Sequence, residues 1–240
     1  MRVAIISDIQ GNAVALEAVL AQIKMEAVDQ IVCLGDVATG FEPERVLDFL
    51  KENAVLCVRG NMDEVVLNPQ PDDGNDANAQ RYAEIDAWCH QQLGAKHRQM
   101  IADFTLTTTI QLTEATRLMC FHGAPADTQA VIDAETPIQQ LDAYFSDADA
   151  QIFATGHMHT PMLRHYKHAQ IINPGSVGLP FGGKIARMPL YAEYGLIDAE
   201  KHSVRLTFMR VTYAKEIFRH RLLHSGMPHA GWYLQQWQVD

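Results

Sequence analysis

Five apolar runs in this chain each stop at a residue able to hold a metal ion or a proton. AIIS stops at Asp8, IVCLG at Asp36, VLCVRG at Asn61, LMCF at His122, and IFATG at His157 with His159 two residues on. A strand buried on both faces reads as a continuous apolar run. In open α/β sheets the carboxyl ends of such strands gather at one crevice, where ligands bind. Side chains far apart in sequence can therefore meet there.

The first part of the chain predicts the elements that build such a crevice. Val3–Ser7, Gln30–Leu34 and Ala54–Val58 read as strands. Asn12–Lys24 carries apolar residues at Val14, Leu16, Val19, Leu20 and Ile23, which is helical spacing, and Asn12 is a plausible N-cap. Pro43–Leu50 fits a helix with proline in its first turn. The order is βαβαβ, so the first sheet is expected to be largely parallel. Residues 68–79 (NPQPDDGNDANA) read as a loop, and Arg81–Gln92 and Lys96–Asp103 as an inserted helix pair. Thr105–Leu112 and Arg117–Phe121 read as antiparallel strands, Ile138–Phe145 as a helix and Gln151–Ala154 as a strand. Gln170–Ile172, Leu190–Ile197 and Val204–Val211 follow as strands, and Tyr213–Leu223 as a helix. The tail 225–240 holds Trp232, Tyr233 and Trp237 and is expected to pack on the body.

Composition narrows the class. With 48% hydrophobic residues in 240, the chain can bury a core, which excludes a disordered polymer. The net charge of −10 disfavours duplex nucleic acid and membrane surfaces, both of which ask for a basic footprint. Small phosphates remain allowed, because a bound metal reverses the local field. Cys33, Cys57 and Cys120 sit in apolar runs and no two cysteines are spaced CxxC, so buried thiols are expected. The N-terminus MRVAIISDIQGN reads as a strand and not as a signal peptide, and no apolar run approaches the ~20 residues of a membrane span. The expected address is cytoplasmic.

The strand-end residues mix carboxylate, imidazole and amide with no thiolate. That set suits Mn, Fe, Zn or Co more than Ca or Mg. It also exceeds what one tetrahedral ion needs. Two metals about 3.5–4 Å apart, sharing a bridging carboxylate, would use all of it.

The segments SDIQGN, LGDVATG, RGNMD, FHGAP and GHMHTP, followed by NPGSVG, resemble the calcineurin-like metallophosphoesterase family, in particular its small bacterial and archaeal branch. The resemblance spans roughly residues 3–178 and rests on the motifs as an ordered set. It implies an α/β fold, a two-sheet β-sandwich flanked by helices. Residues 1–240 would form one such domain with a helical cap insertion at about 64–104. It implies a hydrolase with two divalent ions, Mn favoured. Asp8, Gln10 and His159 would hold the first metal, Asp36 would bridge, and Asn61, His122 and His157 would hold the second. Asp8, Asp36, Asn61 and His122 would be the catalytic set, and a hydroxide between the ions would attack phosphorus. The implied substrates are small phosphodiesters or nucleotide phosphoanhydrides, diadenosine polyphosphates among them. The alternatives are a phosphomonoesterase and a catalytically weak binding or scaffold protein of the same fold. A homo-oligomer is compatible with the sequence.

Two positions depart from the family pattern. Gln10 stands where the family usually has His; an amide oxygen is the weaker ligand, so the first site is expected to bind less tightly. Met62 stands where many members have a His that protonates the leaving group. A general acid is worth about 10²–10⁴-fold, so its loss biases the chain toward anhydrides and aryl esters. Asp63 is expected to orient a histidine. Asn12 and the loop Asn173–Gly178, with Gly175 and Ser176, are candidates to present N–H groups to phosphate, although the same loop also reads as a tight turn. Arg59, Lys184 and Arg187 are weaker candidates as phosphate clamps. On the inserted helix, Trp88 and His90 are candidates to touch a base.

Overall fold

The computed structural model describes residues 1–72, 74, 76–146, 148–180 and 187–238. Lys184 lies outside them. The elements run β1 (Arg2–Ile6), α1 (Ala13–Met25), β2 (Gln30–Cys33), α2 (Pro43–Glu52), β3 (Leu56–Cys57), α3 (Asn61–Leu67), α4 (Ala77–Gln92) and α5 (Ala95–Ala102). Then come β4 (Thr107–Thr113), β5 (Thr116–Phe121), α6 (Ile138–Phe145), β6 (Ile152–Ala154), β7 (Met162–Tyr166) and β8 (Ala169–Asn173). The chain closes with β9 (Tyr191–Glu200), β10 (Ser203–Thr212), α7 (Lys215–His224) and α8 (Ala230–Leu234).

Two five-stranded sheets form, ordered β10-β9-β1-β2-β3 and β4-β5-β6-β8-β7. In the first, β1, β2 and β3 are parallel; in the second, β5, β6 and β8 are parallel. The remaining pairings are antiparallel. The fold is thus the expected helix-flanked two-sheet α/β sandwich.

Alternation along each strand makes three cores. On β1, Val3 and Ile5 pack with Leu118, Cys120, Ile152, Ala154 and Ile172 of the other sheet. Ala4 and Ile6 point the other way, into the cluster built with α1 and α2. Phe121, Phe153 and Ile171 face outward onto Leu141 and Phe145 of α6. A central strand in this stack has no polar face, because successive side chains enter different cores. That is why the runs are continuous and not alternating. Asn12 caps α1 as expected, its Oδ1 accepting from the Ala15 N–H at 3.1 Å.

Three elements escape the sequence reading, the short α8 of the tail among them. The strand β7 lies at the edge of the second sheet with alternating exposed residues (Leu163, His165), and charged MLRHY carries little strand signal. The helix α3 spans only seven residues, begins at Asn61 itself and buries Asn61, Asp63 and Val66. The inserted segment therefore contributes three helices and not two. Among the described residues, no helix is long and apolar enough to cross a membrane.

The tail folds back as expected. Trp237 is 1% exposed, with its ring 5.2 Å from that of Phe218 and 4.9 Å from that of Tyr233. Burying so large a ring makes the tail part of the core. Trp237→Ala is expected to lower stability by about 3–5 kcal/mol, the range for removing a buried aromatic, read from urea unfolding. A loss under about 1 kcal/mol would mean that the tail is dispensable to the fold.

Candidate metal centre

The parallel strands of both sheets end at one edge of the sandwich, and the loops leaving them converge. Backbone bonds tie these loops together: Asp8 N–H to the Gly35 carbonyl, Gln10 N–H to that of Asp36, and Gly156 N–H to that of His122. The approach is closer than a side chain would permit. A Cβ on Gly60 would lie 2.1 Å from Asp36 Oδ1, and one on Gly156 would lie 2.2 Å from Ser7 Oγ. Asp8, Gln10, Asp36, His157 and His159 all have positive φ, between 49° and 66°. The left-handed region costs a non-glycine residue about 1–3 kcal/mol and clusters at functional sites.

Two ligand groups result. Atoms of Asp8, Asp36 and His159 lie within 4.8 Å of one another, as do atoms of Asp36, His122 and His157. Asp36 belongs to both. Asn61 joins the second, its Oδ1 2.9 Å from His122 Nε2, which also lies 3.3 Å from Asp36 Oδ2.

The hydrogen bonds behind these groups decide what they can bind. His122 Nδ1 lies 2.7 Å from the Leu34 carbonyl, and His159 Nδ1 lies 2.8 Å from the Leu179 carbonyl. A carbonyl only accepts, so each Nδ1 carries the hydrogen and each Nε2 turns its lone pair inward. This is the way ligating histidines are usually held. His159 Nε2 sits 3.0 Å from Asp8 Oδ1, a buried oxygen that accepts no hydrogen bond. A lone pair and a carboxylate oxygen at that distance repel unless a proton or a metal ion lies between them, and the two compete for the same place. The donor set therefore fits divalent cations.

Without an ion, protons on the imidazoles meet the same demand for positive charge. Burial alone would lower His122, but the Asp36 carboxylate beside it pushes it up to about 10. Burial would likewise lower His159, and facing Asp8 raises it instead. Burial would raise Asp8, while His159 and His122 hold it below the usual carboxylate range. His157 is lowered by burial and by His122, whose ring centroid is 5.1 Å away, so it stays a neutral ligand.

Gln10 does not point its oxygen at a metal position. Thr39 Oγ1 donates to its Oε1, and its Nε2 donates to Asp36 Oδ2 at 3.2 Å. In this arrangement it steadies the shared carboxylate. Asp63 orients backbone and not a histidine: its carboxylate accepts from the N–H groups of Asp36, Val37 and Gly60 at 2.8–2.9 Å.

The expected substrate contacts need correction, because each is already committed to the scaffold. Asn12 is 1% exposed, caps α1 and donates to the Gly178 carbonyl. Gly175 N–H is held by Asn173 Oδ1, and Ser176 Oγ donates to the Asp8 carbonyl at 2.8 Å. The N–H groups of Val177 and Gly178 bond the carbonyls of Ser7 and Asp8. The NPGSVG loop is thus a buttress for Asp8, with no N–H group of Gly175, Val177 or Gly178 left for phosphate. Arg59 donates to the Ala102 carbonyl, and His90 Nδ1 is 2.8 Å from the Val66 carbonyl. Trp88 packs against the core and does not line the cleft; Arg187 does not line it either.

The cleft over the centre holds about 430 Å³ and is walled by Met62, Tyr82, Ile85, Asp86, Leu179 and Tyr233. Its contribution from α4 is Tyr82, Ile85 and Asp86; one turn on, the buried Cys89 shares their helix face, and its Sγ contacts Gly40 N and O at 3.2 and 3.3 Å. Positions i, i+3, i+4 and i+7 share one helix face, and this spacing could have marked the wall. Trp88 and His90 drew attention by residue type but lie on other faces. Among the described residues lining the cleft there is no Lys or Arg.

Gly60→Ala tests the shared carboxylate without touching a ligand. Its Cβ would displace Asp36 Oδ1, so Mn²⁺ affinity by calorimetry is expected to fall about 10–100-fold, as when a ligand's support is lost. An unchanged isotherm would remove Asp36 from the metal groups.

Comparison with known proteins agrees with this arrangement. Residues 1–201 match the model of the calcineurin-like phosphoesterase superfamily domain. The chain is 28% identical over 220 residues to phosphodiesterase YfcE of Escherichia coli strain K12, covering 85% of this chain and 91% of the relative. Among solved structures, a metallophosphoesterase from Sphaerobacter thermophilus matches with TM-score 0.72 and 26% identity over 96% of both chains. The PH1004 protein of Pyrococcus horikoshii OT3 shares the fold with TM-score 0.80 at 21% identity, over 100% of this chain and 98% of that one. The chain belongs to the calcineurin-like phosphoesterase superfamily, in its small bacterial and archaeal branch, and is a phosphoesterase.

Proposed function

We propose that this phosphoesterase hydrolyses small phosphodiesters or nucleotide phosphoanhydrides, diadenosine polyphosphates among them, at a centre of two divalent ions. The observation that carries this reading is the pair of ligand groups sharing Asp36, at the floor of a cleft whose described lining holds no Lys or Arg. Asp8, Asp36 and Asp86 line or underlie that cleft, and by themselves they would repel phosphate. The ions supply the missing positive charge and lower the pKa of a bound water, with Mn the preferred metal.

The chain's own residues do the rest. Asp8 and His159 hold one position, with Gln10 beside it; Asn61, His122 and His157 hold the other; Asp36 serves both. His122 and His159 are held rigid by their carbonyl partners, so the ligands need little rearrangement. Met62, Ile85 and Leu179 with the rings of Tyr82 and Tyr233 offer an apolar wall to an organic group on phosphorus. That wall favours a nucleotide-like or aryl diester over a small monoester. The name of the Escherichia coli relative supports a diesterase. Four unpaired thiols, three of them buried, support a cytoplasmic address.

The test is turnover. With Mn²⁺, bis(p-nitrophenyl) phosphate and a diadenosine polyphosphate are expected to be cleaved faster than p-nitrophenyl phosphate. Asp36→Asn is expected to lower kcat/KM by about 10²–10³-fold or more, the scale of losing a principal electrostatic contact, with thermal unfolding little changed. Faster monoester cleavage would make the protein a phosphomonoesterase. Near-normal turnover by a folded Asp36→Asn variant would contradict the shared-carboxylate centre.

A further inference from the structure

We propose that Asp86 is the general acid of this hydrolysis, donating its proton to the departing oxygen in place of the histidine that Met62 replaces. The proposal rests on the phosphodiesterase reading above and on three features of the cleft.

The first is exposure without a partner. Asp86 is 7% exposed and lines the cleft, yet its carboxyl makes no hydrogen bond or ion pair among the described residues. Its carboxyl meets the open space of the cleft and no described protein group, so a substrate atom entering there can take its hydrogen bond.

The second is fixed position. One turn further along α4, Cys89 is anchored to Gly40 and His90 to the Val66 carbonyl. Tyr82, one turn before, donates to Gln236 Oε1 at 3.1 Å and packs edge-on to Trp232 with centroids 5.2 Å apart. The helix is thus pinned on both sides of Asp86, which shares the cleft with Asn61 and Met62.

The third is charge. Asp36, His157 and His159 face Asp86 across the cleft; Tyr82 and Cys89 flank it on α4, and Tyr233 comes from α8. Met62 brings no charge. An ionised Asp86 would add repulsion toward both Asp36 and an incoming phosphate, whereas a neutral carboxyl offers a hydrogen. Burial is the larger cause that pushes Asp86 up to about 7 in the ion-free protein; the charge of Asp36 adds to it there and would be offset by bound ions. A carboxylic acid kept neutral by its surroundings is a recurrent proton donor in hydrolases.

The step balances as follows. Water adds to phosphorus and gives its proton to solvent. The bond from phosphorus to the departing oxygen breaks, its electron pair stays on that oxygen, and the oxygen takes the Asp86 proton. The Asp86 carboxylate regains a proton from solvent as product leaves. With this acid in place the rate is expected to depend weakly on the leaving group, where the loss of the histidine at Met62 alone would favour good leaving groups.

The experiment uses the full-length Mn²⁺-loaded protein and methyl phosphodiesters with leaving groups from nitrophenol to ethanol. Wild type is expected to depend weakly on leaving-group pKa. Asp86→Asn is expected to lose about 10²–10⁴-fold on the alkyl substrates and least on the nitrophenyl ester. The basic limb of its kcat/KM pH profile should vanish, and Asp86→Glu should recover part of the alkyl rate. Independently of turnover, a wild-type minus Asp86→Asn infrared difference spectrum should show a protonated carboxyl band at neutral pH. A uniform loss across leaving groups, or an unchanged slope, would overturn the proposal while leaving the phosphodiesterase reading intact. Wild type inactive on every diester would overturn both.

Discussion

Two carboxylates buried side by side, Asp8 at 0% and Asp36 at 2% exposure, set the terms for the rest of the structure. Like charges out of water are costly unless each is paired and hydrogen-bonded, and the surrounding loops are arranged to do both. Asp8 Oδ2 accepts from Ser7 Oγ at 2.5 Å and from the His157 N–H at 3.2 Å. Asp36 Oδ1 accepts from the Met62 N–H at 2.8 Å, and Asp63 in turn grips the backbone of Asp36. What this network leaves over is Asp8 Oδ1, with imidazole nitrogens aimed toward the carboxylates. The residual demand for positive charge is the chemical meaning of the site.

The same demand accounts for the backbone. Five candidate ligands hold left-handed φ values, because each must turn its side chain back over the strand end it has just left. Gly35 and Gly60 let neighbouring loops approach backbone to backbone, and Gly156 leaves room for the side chains of Ser7, Asp8 and His122. Strain of this kind persists only where surrounding bonds over-determine it. Here the NPGSVG loop supplies them, bonding the carbonyls of Ser7 and Asp8 from β8. A motif that resembled a phosphate cradle is instead the brace that keeps Asp8 in place.

How far the sequence was legible follows from the range of the interactions involved. The strand ends, the βαβαβ order and the Asn12 cap depend on neighbours within a few residues, and all were readable. So was the convergence of Asp8, Asp36, Asn61, His122, His157 and His159, since parallel strands in one sandwich end on one side. The cleft walls were not readable from residue type. Whether Tyr82 or Trp88 faces the centre depends on how α4 docks, and distant contacts hold it, Cys89 on Gly40 across 49 positions and Tyr82 on Gln236 across 154. Arg59 and His90 looked functional because cations and imidazoles often are, yet each satisfies a carbonyl that the inserted helices would otherwise leave bare. Asp86 was overlooked because a carboxylate on a polar helix normally faces water; only its burial singles it out.

The central claim is that Asp8, Asp36, Asn61, His122, His157 and His159 form one centre of two ions sharing Asp36. Anomalous diffraction from crystals soaked in Mn²⁺ tests it directly. The account predicts two peaks about 3.5–4 Å apart, one beside Asp8 and His159, the other among Asn61, His122 and His157, with Asp36 reaching both. A single peak, or two peaks with Asp36 touching only one, would contradict it.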